Sequence, residues 1–291
     1  MENGSVALPA DFVHNRFIVK PIAENGSTLY MLADTGGGCV LTPEAVSRAR
    51  LTTFEGTVGD ARYDMAELPN YREDAWIPPL IIGGKPGACI IMNRGYGILG
   101  QAWFADRVWT FDYFAGTLIY HGAGGKSLLE QKERCVRLNF QEDGDGKRNN
   151  SFPRIQAVID GEVIDFLFDT GATLNVSDQG LAELNDNGGR QRGTCFITES
   201  VFRRWMKRNP HWRVIDKAEQ STGLPIIEVP EVTIAGYTVG PVWFTFRPDH
   251  NFHRFISDLM DRRVEGALGG SVLQYFRVTV DYPNGLALFE R

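Results

Sequence analysis

A chain of 291 residues, 43% of them hydrophobic and including 18 Phe, 9 Tyr and 6 Trp, holds enough apolar material for one large core or two ordinary ones. Its net charge of -6 and pI near 5.5 argue against a nucleic-acid or anionic-membrane partner, since both call for a basic face. No apolar run approaches the roughly 20 residues of a membrane span. The start, Met1-Glu2-Asn3-Gly4-Ser5, lacks the basic and apolar regions of a signal peptide. The compartment stays open: cytoplasmic as given, or periplasmic or secreted if a leader was removed.

The 32 Gly and 14 Pro imply many turns, and the expectation is mostly strand. Residues 12–22 read as one strand, 24–27 as a turn with the Asn-Gly signal, and 28–33 as the return strand ending at Asp34. Residues 39–41 form a short strand. Thr42-Pro43-Glu44 then starts a helix, with Thr as N-cap, Pro at the first position and an acid in the first turn. Residues 52–66 suit a hairpin, 88–92 a strand, 101–106 a short helix, 107–113 a strand and 117–120 its partner.

The glycine-rich stretch 121–132 is the expected boundary. Residues 142–147 read as a hairpin turn, because they lack the further ligands of a calcium loop. The pieces then recur. Residues 152–159 and 163–168 lead to a second acid, Asp169, and 198–208 read as an amphipathic helix with Pro210 just past its end. Residues 226–234 and 239–246 read as paired strands, and 248–254, with His250 and His253, as a solvated loop. Cys39, Cys89, Cys135 and Cys195 show no CxxC and no metal-ligand spacing. Four free thiols are expected, a disulfide being the second reading. No cofactor and no metal are expected.

The repeat is organised around one tripeptide. Asp34-Thr35-Gly36 and Asp169-Thr170-Gly171 each end an apolar run, and apolar residues resume shortly after. Gly97-Ile98-Leu99-Gly100 is answered by Gly266-Ala267-Leu268-Gly269, and Asp112-Tyr113 by Asp281-Tyr282. The spacing grows by about 34 residues between the tripeptide and the Asp-Tyr pair, so the second copy carries an insertion, expected at about 178–265. The expected division is 1–125 for the first half and 126–291 for the second.

Two halves with one carboxylate each are expected to meet at an approximate two-fold axis. Two carboxylates about 3 Å apart cannot both ionise and share a proton. One then activates a water while the other polarises a carbonyl. Gly36 and Gly171 allow backbone amides to approach the carboxylates, and Thr35 and Thr170 supply hydroxyls that bond across the axis.

Two Asp-Thr-Gly copies, each with its own downstream apolar-apolar-Gly segment, resemble the pepsin-like and retropepsin-like aspartic proteases, the closing segments being most similar to those of bacterial retropepsin-like proteins. The resemblance covers about residues 12–290. It implies an all-β, two-lobe acid-protease fold with pseudo-two-fold symmetry and a few short helices. It implies an endopeptidase with Asp34 and Asp169 as catalytic residues, supported by Thr35, Gly36, Thr170 and Gly171. A polypeptide substrate follows, with both half-sites supplied by a monomer. Gly59 and Tyr63 are candidates for a flap over the cleft. Gly37-Gly38 departs from the family pattern, which places Ser, Thr or Ala after the tripeptide. Two other readings stay open. Asp-Thr-Gly is also a common turn, and the same fold with a slack loop would serve as a catalytically weak peptide- or ligand-binding module.

Overall fold

The computed structural model describes residues 4–123, 129 and 132–291. Residues 124–128 and 130–131, within the stretch read as a boundary, lie outside the described residues. Strand makes up 41% of the chain and helix 16%, so the all-β expectation holds. Among the described residues no helix is long and apolar enough to cross a membrane.

The first half opens with β1 (Ala10–Phe12) and β2 (Phe17–Val19). The reading of 12–22 as one strand is corrected here. His14 (φ 47°) and Asn15 (φ 63°) are both left-handed, and Val13 and Arg16 close the turn with hydrogen bonds of 2.8 and 3.2 Å. Asn tolerates positive φ, which suits a two-residue hairpin. Next come β3 (Met31–Ala33), apolar and buried throughout, and β4 (Val40–Leu41). Helix α1 (Pro43–Ala49) starts as expected, the Thr42 hydroxyl accepting from the Ala45 N–H at 3.1 Å. It ends at Arg50, whose left-handed backbone terminates the turn. The hairpin β5 (Phe54–Val58) and β6 (Ala61–Glu67) follows, then β7 (Ala88–Ile91) and β8 (Gly97–Leu99).

These eight strands make one sheet in the order β1-β2-β3-β8-β4-β7-β6-β5. β8 lies between β3 and β4, parallel to the first and antiparallel to the second. The loop joining β3 to β4 carries Asp34, and β8 supports it from below. Helix α2 (Gln101–Phe104) then turns the chain into β9 (Arg107–Asp112) and β10 (Thr117–Ala123).

The second half repeats this order. Its strands are β11 (Arg154–Ile159), β12 (Glu162–Phe168), β13 (Thr173–Asn175), β14 (Gln191–Gly193), β15 (Cys195–Thr198), β16 (Val214–Ile215), β17 (Ile226–Val229), β18 (Val232–Ile234), β19 (Tyr237–Val239), β20 (Val242–Arg247) and β21 (Gly266–Leu268). Its helices are α3 (Asp178–Leu184) and α4 (Glu199–Arg208), and α4 buries Val201, Phe202 and Trp205 on one face. The sheet runs β16-β17-β20-β15-β21-β12-β11-β18-β19. β21 lies between β12, to which it is parallel, and β15, to which it is antiparallel, as β8 lies between β3 and β4.

The register locates the extra residues. Val40 faces Ile98, and Phe196 faces Ala267. Six positions separate Asp34 from Val40 and 27 separate Asp169 from Phe196, so 21 extra residues (β13, α3, β14) precede β15. Val40 and Ile98 are 58 apart and Phe196 and Ala267 are 71 apart, which puts 13 more before β21. Part of that second piece is a wide helical turn, Asn251–Ile256, where a solvated loop was expected. Phe252 and Ile256, four apart on one face, pack on Leu167, Ala267 and Phe196. His253 Nε2 lies 2.7 Å from Glu265 Oε2 and is 16% exposed. Apolar anchoring of one face therefore overrides the polar composition of 248–254.

Helix α5 (Gly270–Leu273), β22 (Arg277–Asp281) and β23 (Leu286–Glu290) close the chain. A six-stranded sheet takes strands from both halves, in the order Val6–Ala7, β10, β9, β22, β23, Cys135–Arg137. At its centre Thr110 pairs with Thr279, their hydroxyls 2.7 Å apart. The two threonines are counterparts under the repeat, so the pseudo-two-fold axis passes between them. The main hydrophobic core runs through all three sheets and includes Phe17, Trp103, Trp109, Phe111, Phe168 and Tyr282.

The contact of β8 with the first loop leaves no spare volume. A Cβ on Gly100 would lie 2.3 Å from the Gly37 carbonyl oxygen and the Gly38 carbonyl carbon, whereas one on Gly38 would meet nothing within 4 Å. Gly100→Ala is expected to lower stability by about 2–4 kcal/mol and Gly38→Ala by less than about 0.5 kcal/mol. Urea denaturation of the two variants beside wild type checks this.

Candidate active site

The two tripeptides meet. Asp34 leaves β3 with its backbone N–H donating to the Leu99 carbonyl at 3.0 Å, and Asp169 leaves β12 donating to Leu268 at 2.9 Å. Each loop then folds back on its own acid. The Gly36 N–H donates to Asp34 Oδ1 and the Gly171 N–H to Asp169 Oδ1, both at 3.0 Å.

Four bonds cross the axis. The Thr35 hydroxyl donates to the Phe168 carbonyl at 2.7 Å and accepts from the Thr170 N–H at 3.0 Å. The Thr170 hydroxyl donates to the Ala33 carbonyl at 2.8 Å and accepts from the Thr35 N–H at 3.2 Å. Both threonines are fully buried. A hydroxyl is one donor and two acceptor sites, and each here uses both functions.

The carboxyls hydrogen-bond to each other. Each also rests against the other half's glycine. A Cβ on Gly36 would lie 2.5 Å from Asp169 Cγ, and one on Gly171 2.1 Å from Asp34 Cγ. Gly37 is constrained too, since its Cβ would come within 2.6 Å of Asp34 Oδ2. The departure at Gly37 therefore makes room for the first carboxylate.

Asp169 is 9% exposed and Asp34 is half-buried. Burial raises Asp34 above the ordinary carboxylate value, against the opposing pull of its bond to Asp169, of the Gly36 and Gly37 amides and of the Arg94 charge. Burial raises Asp169 much further, helped by the neighbouring Asp34 charge and by the shared bond. Both carboxyls are therefore pushed up, and two acids this close titrate as a pair.

A cavity of about 340 Å³ opens beside Asp169 and Gly36, walled by Leu167, Phe196, Phe252 and Phe255. Arg247 lines it as well. Its guanidinium is committed to a bidentate pair with buried Glu219 at 2.8 Å and stacks 4.2 Å from the Phe196 ring. That pair fixes the loop between β16 and β17. Tyr63 lies on β6 opposite Gly56, and Gly59 (φ 58°) sits at the hairpin tip. Among the described residues Tyr63 makes no hydrogen bond to either carboxyl.

Sequence reasoning did not single out the Glu219–Arg247 pair or the wall formed by 252–256. It also missed Tyr113 and Tyr282, counterparts whose buried hydroxyls have no partner among the described residues. Nothing in the local sequence marks the first two. The repeated Asp-Tyr pair pointed to the positions of the tyrosines but not to their burial beneath the loops. Among the described residues no group of His, Cys, Asp or Glu is placed to hold a metal ion.

No protein-family model matches the chain, and no curated protein matches it. Solved structures do. An aspartic proteinase from Irpex lacteus aligns over 98% of this chain and 96% of its own, at 11% identity and a TM-score of 0.51. Conglutin gamma, a basic 7S globulin of lupine seeds, aligns over 99% and 95% at 11% identity and a TM-score of 0.49. A retropepsin-like aspartic protease from Rickettsia conorii aligns over 53% of this chain and 90% of its own, at 14% identity and a TM-score of 0.30. The Irpex match shows the fold: a two-lobe, all-β acid-protease architecture with a pseudo-two-fold axis.

Two outcomes are expected from the geometry. Thr170→Ala strands a buried N–H and a buried carbonyl and should cost about 2–5 kcal/mol, whereas Thr170→Ser keeps both bonds and should cost about 1 kcal/mol. Denaturant titration separates them. A carboxyl whose folded pKa is raised stabilises the fold below the unfolded value of about 3.9 and loses that contribution as pH rises through the folded value. Stability should therefore decline through that window in wild type and decline less in Asp169→Asn, measured by melting temperature against pH.

Proposed function

We propose that the protein is an aspartic endopeptidase in which Asp34 and Asp169 share one proton and hydrolyse a peptide bond of a polypeptide substrate. What carries the reading is the carboxyl pair: a buried and a half-buried acid side by side, one from each half, each held by a backbone amide and pinned by threonine bonds across the axis. One chain supplies both halves, so the active species is a monomer.

The asymmetry of the pair assigns the roles. Asp34, the more exposed of the two and the one that feels the Arg94 charge, is the carboxylate that takes a proton from the attacking water. Asp169, which holds the shared proton, donates a hydrogen bond to the scissile carbonyl and stabilises the developing oxyanion. The tetrahedral intermediate then collapses as the proton passes to the leaving nitrogen and the carbon–nitrogen bond breaks. The hairpin β5–β6, with Gly59 at its tip and Tyr63 on its second strand, is the element proposed to cover the bound peptide. Its edge is exposed and Arg62–Glu55 is an ion pair internal to it.

Cleavage of denatured casein across pH 3 to 8 tests the reading. Asp34→Asn and Asp169→Asn are each expected to lose about 10³-fold or more in kcat/KM. Activity in wild type should fall on the alkaline side as Asp169 gives up the shared proton and on the acid side as Asp34 gains a second one. Because both are raised, the active window should sit above that of two ordinary carboxyls near 3.9. Wild type cleaving nothing at any pH would return the fold to a peptide-binding module.

A further inference from the structure

The reactive groups left unused by the carboxyl pair are thiols. Cys39 precedes Val40 and Cys195 precedes Phe196, and the register with β8 and β21 makes the two cysteines counterparts. Cys195 is buried and accepts a hydrogen bond from the Gly269 N–H at 3.3 Å. Cys39 lies near the corresponding amides of Gly100 and Trp103, which favour its thiolate. The halves diverge at the next strand. Phe244 on β20 faces Cys195. In the first half Ile90 faces Val40 and its N–H donates to the Cys39 carbonyl at 3.1 Å, which sets Cys89 on β7 beside Cys39.

The neighbour changes the chemistry. The neighbouring Cys89 lowers the Cys39 thiol below its ordinary value, against the opposing effect of burial. The same neighbour, with burial second, pushes Cys89 far up, and burial, with the Asp169 charge adding to it, pushes Cys195 up to about 12 against the Gly269 and Val272 amides. Cys39 is half-buried and within reach of a small solute, while Cys89 is enclosed behind it. Adjacent strands lie about 4.8 Å apart, inside the roughly 4.4–6.8 Å span of Cα atoms that a disulfide bridges. Cys39, Cys89 and Cys195 form no disulfide in this structure.

We propose that Cys39 and Cys89 are a peroxide-sensitive thiol pair, joined on oxidation by a reversible disulfide that displaces the loop carrying Asp34. The Cys39 thiolate attacks one oxygen of a hydroperoxide, the oxygen–oxygen bond breaks, and the departing oxygen leaves as water or alcohol after taking a proton. The Cys89 sulfur then attacks the sulfenic sulfur of Cys39, the sulfur–oxygen bond breaks, and hydroxide leaves as water with the Cys89 proton. Two thiols are oxidised by two electrons and one peroxide is reduced.

The bridge acts on the site because the loop has no slack. Drawing the Cys39 sulfur toward Cys89 takes it from the amides of Gly100 and Trp103, and the Gly37-Gly38 segment rests directly on Gly100. The effect on activity rests on the proteolytic reading; the cross-link does not.

The test treats the full chain with hydrogen peroxide, alkylates the remaining thiols and maps the peptides by mass. A linked 39–89 peptide, about 2 Da lighter than the two free thiols, is expected. It should vanish with dithiothreitol and be absent in Cys89→Ser and in Cys39→Ser, while Cys195 stays unmodified until the protein is unfolded. Recovery of Cys39 as a free thiol or a sulfinic acid with Cys89 unlinked overturns the proposal, and this readout needs only wild type should a variant not fold. Oxidised wild type should lose roughly tenfold to a hundredfold in peptide cleavage and regain it on reduction, whereas Cys89→Ser should not respond. A link that forms without changing cleavage overturns the switch. A reduced wild type that cleaves nothing removes the proteolytic reading and the switch with it, and the mass map still decides the link.

Discussion

Two buried carboxyls in contact are costly unless something forbids them to separate, and here that role falls to Thr35 and Thr170. Like charges at hydrogen-bonding distance repel, and burial removes the water that would screen them. Each threonine hydroxyl donates to a carbonyl at the end of the opposite strand and accepts the amide of the opposite threonine. A typical buried hydrogen bond contributes only about 1 kcal/mol net, but stranding its partners costs more. Four such bonds crossing between the halves therefore act chiefly by making every displaced arrangement worse. The glycines complete the constraint, because each carboxyl occupies the volume that a side chain on the opposite glycine would fill.

The scaffold treats its halves unequally. In the first, the hairpin β5–β6 ends the sheet as an exposed edge. In the second, the corresponding loop is held by the Glu219–Arg247 pair and by the added β13 segment, with Gln220 donating to Asn175 and Ser177 to Ala218. A charge pair this buried is weak evidence for stability, since desolvation offsets most of its attraction. Its evident effect is geometric: it holds Arg247 against Phe196 at the edge of the cavity beside Asp169. The cavity beside Asp169 is thereby bordered by a fixed side chain, while the hairpin of the first half keeps an exposed edge.

What was legible in the sequence is what local chemistry dictates. Apolar runs ending in Asp-Thr-Gly, and the glycine segments that run beneath the two loops, appear as repeated words because no other residues fit those contacts. The repeat also carried the threonine bonds, since a hydroxyl at that position has few other partners. Hidden features depend on tertiary packing. The His14-Asn15 turn sits inside an apolar-polar alternation that reads as continuous strand. The turn at 251–256 is polar in composition and is anchored by Phe252 and Ile256 on the core and by His253 on Glu265. The 21 residues before β15 separate Cys195 from its tripeptide while Cys39 lies close to its own, which conceals their equivalence from any fixed spacing. Tyr63 has no register until the hairpin pairing is known.

The six-stranded sheet has a consequence for how the chain reaches its final state. Its central pairing joins β9 to β22, and Thr110 meets Thr279 across 169 positions of sequence. Pairings of this span carry a large loop-closure entropy and form slowly. Until they form, β9 and β22 present open edges, the exposure that native sheets otherwise suppress. The threonine bonds above them span 135 positions or nearly so. The carboxyl pair is therefore assembled from contacts that arrive late. A nascent chain can fold strands of either half while still lacking the arrangement that brings Asp34 and Asp169 together.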